Sequence, residues 1–316
     1  MKTQYVNVIK AGQRVDDLFV LSRKNMSQKK DGNNYLTLVL GDKTGSIKGV
    51  LWDDVDRLAA RVSTGDFVRA RGTISEYRGE LQFVIKDLNA CPPKDIDPSD
   101  FMPATRHDVA KMHEQLVQLT ASMKNLHLKK LFDAFWNDQG FVESFTTAPA
   151  AKKMHHAFIG GLLEHTLSMA VLADKIAGHY RDVDRDLLIA GVILHDIGKV
   201  REFAYQTSID YSDEGRLISH IVIAIQMVED KIARLDNFPA ETAMLIKHMI
   251  VSHHGEREFG SPEPPKTIEA VLLHFIDEMD SKVNAIRDYV AADTSDENWT
   301  GYHRLLGRHF YKGNKA

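Results

Sequence analysis

The sequence predicts a multidomain α+β chain, a small antiparallel β-barrel followed by an all-α helical bundle. Three observations carry this. Apolar and polar side chains alternate between turn signals up to about residue 90, apolar spacing changes to three and four beyond residue 104, and a proline-rich break separates the two patterns. At 316 residues and 43% hydrophobic, the chain is long enough to bury a core in each part.

The strands come first. DLFVLSRK, YLTLVLGD, SIKGVLW, DFVRARGTISEY and ELQFVIKDL are short β-rich runs, and YLTLVL and ELQFVI alternate between faces. Asp42 to Gly45 is expected to turn the chain, and Arg78-Gly79 fits a tight hairpin. WDDVDRLAARV reads as a short helix before the fourth strand, and five strands with a helix at that point match an OB-fold barrel, expected over residues 1–92. The stretch PPKDIDP that begins at Pro92 has three prolines in seven residues and few apolar side chains, so residues 93–103 read as a linker. Residues 104–316 are expected to form the bundle, through segments such as GGLLEHTLSMAVLADKIAGHY, RDLLIAGVILHDIGK, SHIVIAIQMVEDKIARL and KTIEAVLLHFIDEMDSKVNAIRDYV. The tail from Thr294 gives no strong reading, and the chain has no internal repeat.

Charge and histidine content divide at the same place. Residues 1–92 hold 15 Lys/Arg against 11 Asp/Glu, the remainder 25 against 33, and all 15 histidines lie beyond residue 100. A mildly basic module suited to a polyanion therefore precedes an acidic, histidine-bearing one. A single cysteine, Cys91, excludes a disulfide framework and any cysteine-rich zinc site, so a metal here has to be held by nitrogen and oxygen. No signal-peptide pattern opens the chain and no run approaches the roughly 18 apolar residues of a membrane span, so a cytoplasmic location is expected.

The strongest chemical signal is LIAGVILHDIGKV, in which His195 and Asp196 close an apolar helix. An imidazole and a carboxylate there can reach one divalent ion, and the second carboxylate oxygen can bridge to another. Alone, such a pair is usually a helix end satisfied by backbone. Thirty residues upstream, however, His165 lies among Leu162, Leu163, Leu167 and Ala170, and Asp277 sits in the equally apolar AVLLHFIDEMDSKV. An interior carboxylate without a cation is costly, so His165, His195, Asp196 and Asp277 are expected to hold a first ion. His220, His253 and His254, with Asp196 bridging, are expected to hold a second, against the alternative of a single ion, and His254 has the further alternative of facing substrate. Lys199 follows Asp196 by three residues, so a helical turn would point its ammonium back at the site to steady a phosphoryl group, against the alternative of a solvated surface lysine. Glu164 beside His165 is a candidate supporting partner or further ligand.

The series His165, His195-Asp196 and Asp277 resembles the HD phosphohydrolase superfamily, and His220, His253 and His254 resemble the extra ligands of its bimetallic members. The sequence HHGEREFGSPEPP lacks the GYP stretch of the cyclic-di-GMP phosphodiesterases in that group. More closely, PAAKKMHHAFIGGLLEHTLSMA, joined to an OB-like region, resembles the YhaM family of bacterial 3′-to-5′ exoribonucleases over nearly the whole chain. That resemblance implies two divalent ions, manganese first among Mn, Fe, Co, Zn and Mg, and hydrolysis of single-stranded RNA to nucleoside 5′-monophosphates, with single-stranded DNA left open. It also implies a homo-oligomer. Lys152 and Lys153 are then candidates for clamping the strand, and His156 for touching the metal centre or the scissile phosphate, weighed against an ordinary polar loop.

In the barrel, Tyr35, Trp52, Tyr77 and Phe83 are candidate stacking platforms, interleaved with Lys48, Arg69, Arg71, Arg78 and Lys86. Strand alternation places about half of the aromatics inside, without saying which half. Two rival readings stand beside the exonuclease: an HD enzyme acting on a small or cyclic nucleotide, and a nucleic-acid-binding factor whose HD site is vestigial.

Overall fold

The computed structural model describes residues 2–313 apart from 30–31, 78, 93, 95, 98–99, 153–155 and 206–208. Arg78 and Lys153 therefore lie outside the described residues. The chain divides into two compact units, Met1–Ala104 with Ala204–Asp210, and Thr105–Phe203 with Tyr211–Ala316.

The first unit is a closed five-stranded barrel of order β1-β2-β3-β5-β4, formed by β1 (Arg14–Gln28), β2 (Asn34–Asp42), β3 (Gly45–Leu51), β4 (Phe67–Tyr77) and β5 (Glu80–Ala90). The long β1 serves two neighbours: its first half pairs with β4 and its second with β2, across an irregularity between Leu21 and Arg23. The parallel pairing of β3 with β5 closes the barrel. Alternation puts Phe19, Leu36, Leu38, Leu40, Ile74, Phe83 and Leu88 inside, and α1 (Val55–Ala59) adds Val55 and Leu58 to this core. Asp100 accepts hydrogen bonds from Tyr5 and Lys43, and Phe101 packs edge-on against Phe67, so the end of the stretch expected as a linker is anchored on the barrel.

The second unit is helical: α2 (Val109–Ala121), α3 (Leu126–Trp136), α4 (Gln139–Thr147), α5 (Gly161–His179), α6 (Arg185–Leu194), α7 (Lys199–Glu202), α8 (Asp213–Ile232), α9 (Ala240–Ser252) and α10 (Ile268–Ala292). Its centre is α6, which is apolar all round and buried from Leu187 to Leu194, as expected of a helix with neighbours on every side. It packs on α5, α9 and α10, which supply His165, His253, His254 and Asp277. Aspartate or asparagine side chains cap α2, α3, α4 and α6 at their N-termini, which fixes where each helix begins. The tail carries isolated bridges from Trp299 to Tyr311 and from His303 to Arg308. Among the described residues no helix is long and apolar enough to cross a membrane.

One departure from regular helix matters for the site. Ser219 has φ 58° and ψ 163°, a conformation costly for any residue with a side chain, and it breaks α8 immediately before His220. The backbone N–H of His220, freed from the helical ladder, donates to Glu202 Oε1 at 2.9 Å.

Candidate metal centre

Seven side chains expected from the sequence come together in the helical unit. His165 projects from α5; His195 ends α6 and Asp196 follows it; His220 comes from α8; His253 and His254 end α9; Asp277 comes from α10. His195, Asp196, His165 and His253 are at most 2% exposed and His220 is 8% exposed, so these ionisable groups are inside the protein.

Asp196 is the hub. Its Oδ2 lies 3.1 Å from His195 Nε2 and 3.8 Å from His165 Nε2, while its Oδ1 lies 3.6 Å from His220 Nε2 and 3.8 Å from His253 Nε2. His165 Nε2 is also 3.4 Å from Asp277 Oδ1. Candidate ligand atoms fall into overlapping groups, His165 with His195 and Asp277, His195 with Asp196 and His253, and His220 with His253 and His254, the atoms of each lying within 4.8 Å of one another.

The opposite nitrogens of His165, His195, His220 and His253 are engaged. Nδ1 of His195 lies 2.8 Å from the Val192 carbonyl and that of His253 lies 2.7 Å from the Ile250 carbonyl. A carbonyl only accepts, so Nδ1 carries the hydrogen in both rings and Nε2, in the neutral ring, offers a lone pair to the centre. His165 Nδ1 meets Asp280 Oδ2 and His220 Nδ1 meets Glu202 Oε1, each at 2.9 Å. Carboxylate–histidine pairs of this kind orient metal-binding imidazoles and raise their basicity.

The donor set fits a cation. His195 Nε2, His220 Nε2 and Asp196 Oδ1 are buried with no hydrogen-bond partner among the described residues. A lone pair on His195 Nε2 facing a carboxylate oxygen 3.1 Å away is repulsive unless positive charge lies between them. Charge equilibria say the same. Burial lowers the pKa of His165, but its bonds to Asp277 and Asp280 more than reverse this and push it up to about 9, so the carboxylates around the ring call for positive charge, which a proton or a metal ion supplies. Burial raises Asp277, yet His165 and His195 hold it below the ordinary carboxylate range. His253 is pushed well down by burial and by His195 and His254, so it stays neutral, as a ligand must be. An oxygen- and nitrogen-only set suits first-row divalent ions without selecting one by itself.

Lys199 turns back as its spacing requires, with Nζ 2.5 Å from Asp196 Oδ2. Gly198, between them, has no room for a side chain: a Cβ there would stand 2.0 Å from the His220 carbonyl. Lys152 lines a cavity with Lys199 and His220. His156 goes to the other face of His165: its Nε2 is 3.4 Å from Asp280 Oδ2, and its Nδ1 is 3.7 Å from Glu164 Oε1. Glu164 accepts from Thr105 Oγ1 and is not among the groups around Asp196. Sequence reading missed Asp280 and Glu202. Asp280 had a signal, since it lies three residues after Asp277 and so shares its helix face.

The barrel's candidates separate. Phe83 is fully buried in the core, so it is no stacking platform. Trp52 is 42% and Tyr77 59% exposed, and Trp52 stacks on Tyr35 with ring centroids 5.1 Å apart and planes 24° off parallel. Arg71 and Arg69 both pair with Asp16, and Lys48 pairs with Glu80.

Known proteins resemble both halves. The HD domain family matches residues 162–282 and the OB-fold nucleic acid binding domain matches residues 20–90. The 3′-5′ exoribonuclease YhaM of Listeria monocytogenes serotype 4b is 38% identical over 270 residues, 85% of either chain. That of Bacillus velezensis is 34% identical over 302 residues, 95% of either chain. Among solved structures, the second OB-fold domain of replication protein A from Methanococcus maripaludis covers 28% of this chain and 92% of its own, at 21% identity and a TM-score of 0.23. The protein PriB from Ralstonia solanacearum covers 25% and 97%, at 16% identity and a TM-score of 0.23. Identity extending through most of the chain, together with the HD domain match, makes this protein a member of the YhaM family of 3′-5′ exoribonucleases.

Proposed function

We propose that this protein is a metal-dependent exonuclease that shortens single-stranded RNA from its 3′ end and releases nucleoside 5′-monophosphates. The observation that carries the reading is the division of Asp196, one oxygen toward His165 and His195 and the other toward His220 and His253. That division suits one carboxylate shared by two ions. His165, His195, Asp196 and Asp277 would hold the first, and Asp196, His220, His253 and His254 the second. Manganese is the ion favoured. Such a pair, when bound, supplies an activated water and steadies the phosphoryl group during in-line displacement.

The chain's own residues do the rest. Val192, Ile250, Glu202 and Asp280 keep four imidazoles aimed at the centre. Lys199, half-buried and kept charged by Asp196 against the opposing effect of desolvation, offers its ammonium to a phosphate oxygen. Lys152 contributes a second cation near the entry to the site. His156, held between Asp280 and Glu164, stiffens the His165 support more directly than it reaches a strand. The barrel would capture the strand, with Trp52, Tyr35 and Tyr77 as its exposed or half-exposed aromatics.

The test is a gel time course on 5′-labelled single-stranded RNA and DNA of one sequence, using metal-stripped protein with and without added manganese. A descending ladder that requires manganese, faster on RNA, is expected. Uncut strands alongside turnover of a mononucleotide or cyclic dinucleotide would replace the reading with a small-nucleotide hydrolase. Strand binding with no hydrolysis of either kind would leave a binding factor.

A further inference from the structure

A cavity of 490 Å³ opens beside His220 in the helical unit, a size within the range of small-ligand sites. Its lining includes Lys199, Glu202 and His220 from the candidate metal centre, together with Lys152, Phe203 and Tyr211. The centre itself has no use for Phe203 and Tyr211. Tyr211 is 41% exposed, a large aromatic surface left open at the edge of a charged site. Its ring centroid stands 5.3 Å from that of Phe203, which is buried and backs it, and 5.4 Å from Lys152 Nζ.

The position of Tyr211 is fixed by the same residues that fix His220. Ser212, the next residue, caps α8 by accepting from Gly215 N, and its own N–H donates to the Glu202 carbonyl. The Glu202 side chain meanwhile holds both the backbone and the ring of His220. One short segment thus sets an aromatic ring and a candidate ligand at a defined separation. The Glu202 carboxylate is engaged by His220, and Lys152 and Lys199, the latter held by Asp196, put two ammonium groups on the same wall. An aromatic ring, two cations and a metal-facing imidazole on one cavity wall match the parts of a nucleotide, a flat base and a phosphate.

We propose that this cavity holds the 3′-terminal nucleotide of the strand, its base against the Tyr211 ring and its phosphate between Lys152 and Lys199. The inference builds on the exoribonuclease reading, which supplies the nucleotide. Stacking accepts every base, as an enzyme that removes nucleotides in succession requires, and it leaves base edges unread.

The test is binding of AMP and of ribose 5-phosphate to the full-length manganese-loaded protein, followed by calorimetry. The wild type binds AMP about tenfold more tightly than ribose 5-phosphate, within what one base stack contributes. Tyr211→Ala abolishes that preference, and Tyr211→Trp restores it. Equal affinities in the wild type, or a preference that survives Tyr211→Ala, would overturn the inference. No hydrolysis enters the measurement. A protein that keeps the Tyr211-dependent preference yet fails to shorten RNA would refute the exoribonuclease reading and leave the nucleotide site standing.

Discussion

Nδ1 of His165 stands 2.9 Å from Oδ2 of Asp280, and the ring is thereby fixed with its Nε2 turned to Asp277, 3.4 Å away. Asp280 also accepts from Ser168 Oγ at 2.5 Å and meets His156, so its own position is determined from three sides. Supporting carboxylates of this kind typically change metal affinity ten- to a hundredfold when removed. Asp280→Ala is expected to weaken manganese binding by about that factor, and Asp280→Asn, which keeps an acceptor oxygen, by less. Manganese titration of stripped protein checks the order; affinity equal to wild type in Asp280→Ala would show that His165 needs no such support.

Glu202 plays the corresponding part for His220, and it also receives that residue's backbone N–H. Its removal frees the one ligand that enters the site through a kinked helix. Glu202→Ala is expected to lower the metal content per chain from two ions toward one, read by elemental analysis after dialysis. Two ions retained in Glu202→Ala would place His220 outside the ligand set.

The glycine between Asp196 and Lys199 is a packing requirement, since a Cβ on Gly198 would meet the His220 carbonyl at 2.0 Å and Ala224 N at 2.8 Å. Gly198→Ala has to push α8 away, a backbone shift costing about 1–3 kcal/mol. Thermal unfolding is expected about 2–12 °C lower, given roughly 2–4 °C per kcal/mol for a domain of this size. An unchanged melting temperature would mean that α7 and α8 are not in the contact described.

In the barrel, Trp52 lies just beyond β3, half-exposed and stacked on Tyr35. Trp52→Ala is expected to weaken binding of a long single strand by about 1–3 kcal/mol, the contribution of one stacked base, while hydrolysis of a trinucleotide is unchanged. Fluorescence anisotropy and a short-substrate assay separate the two effects. Equal loss on both substrates would point to a folding defect.

Much of this was legible because the chemistry is written against an apolar background. His165, His195 and Asp277 stand out inside helices too hydrophobic to be surface, and Asp196 follows directly from its neighbour. Asp280 and Glu202 were hidden because both lie inside charged runs, EMDSK after Asp277 and GKVREF, where a carboxylate reads as solvated surface. Local pattern also gives no notice of the kink at Ser219, which depends on what α8 packs against. In the barrel, alternation predicted two faces, but only the register of β4 with β5 and the closure by β3 put Phe83 inside and left Tyr77 out.

The central claim is that Asp196 serves two ions at once, and the most direct test removes it alone. Asp196→Ala should be compared with wild type for bound manganese, single-strand binding and release of nucleotides from RNA. The account predicts loss of both ions and of hydrolysis, with strand binding within twofold of wild type. Hydrolysis or a full complement of metal persisting in Asp196→Ala would contradict it.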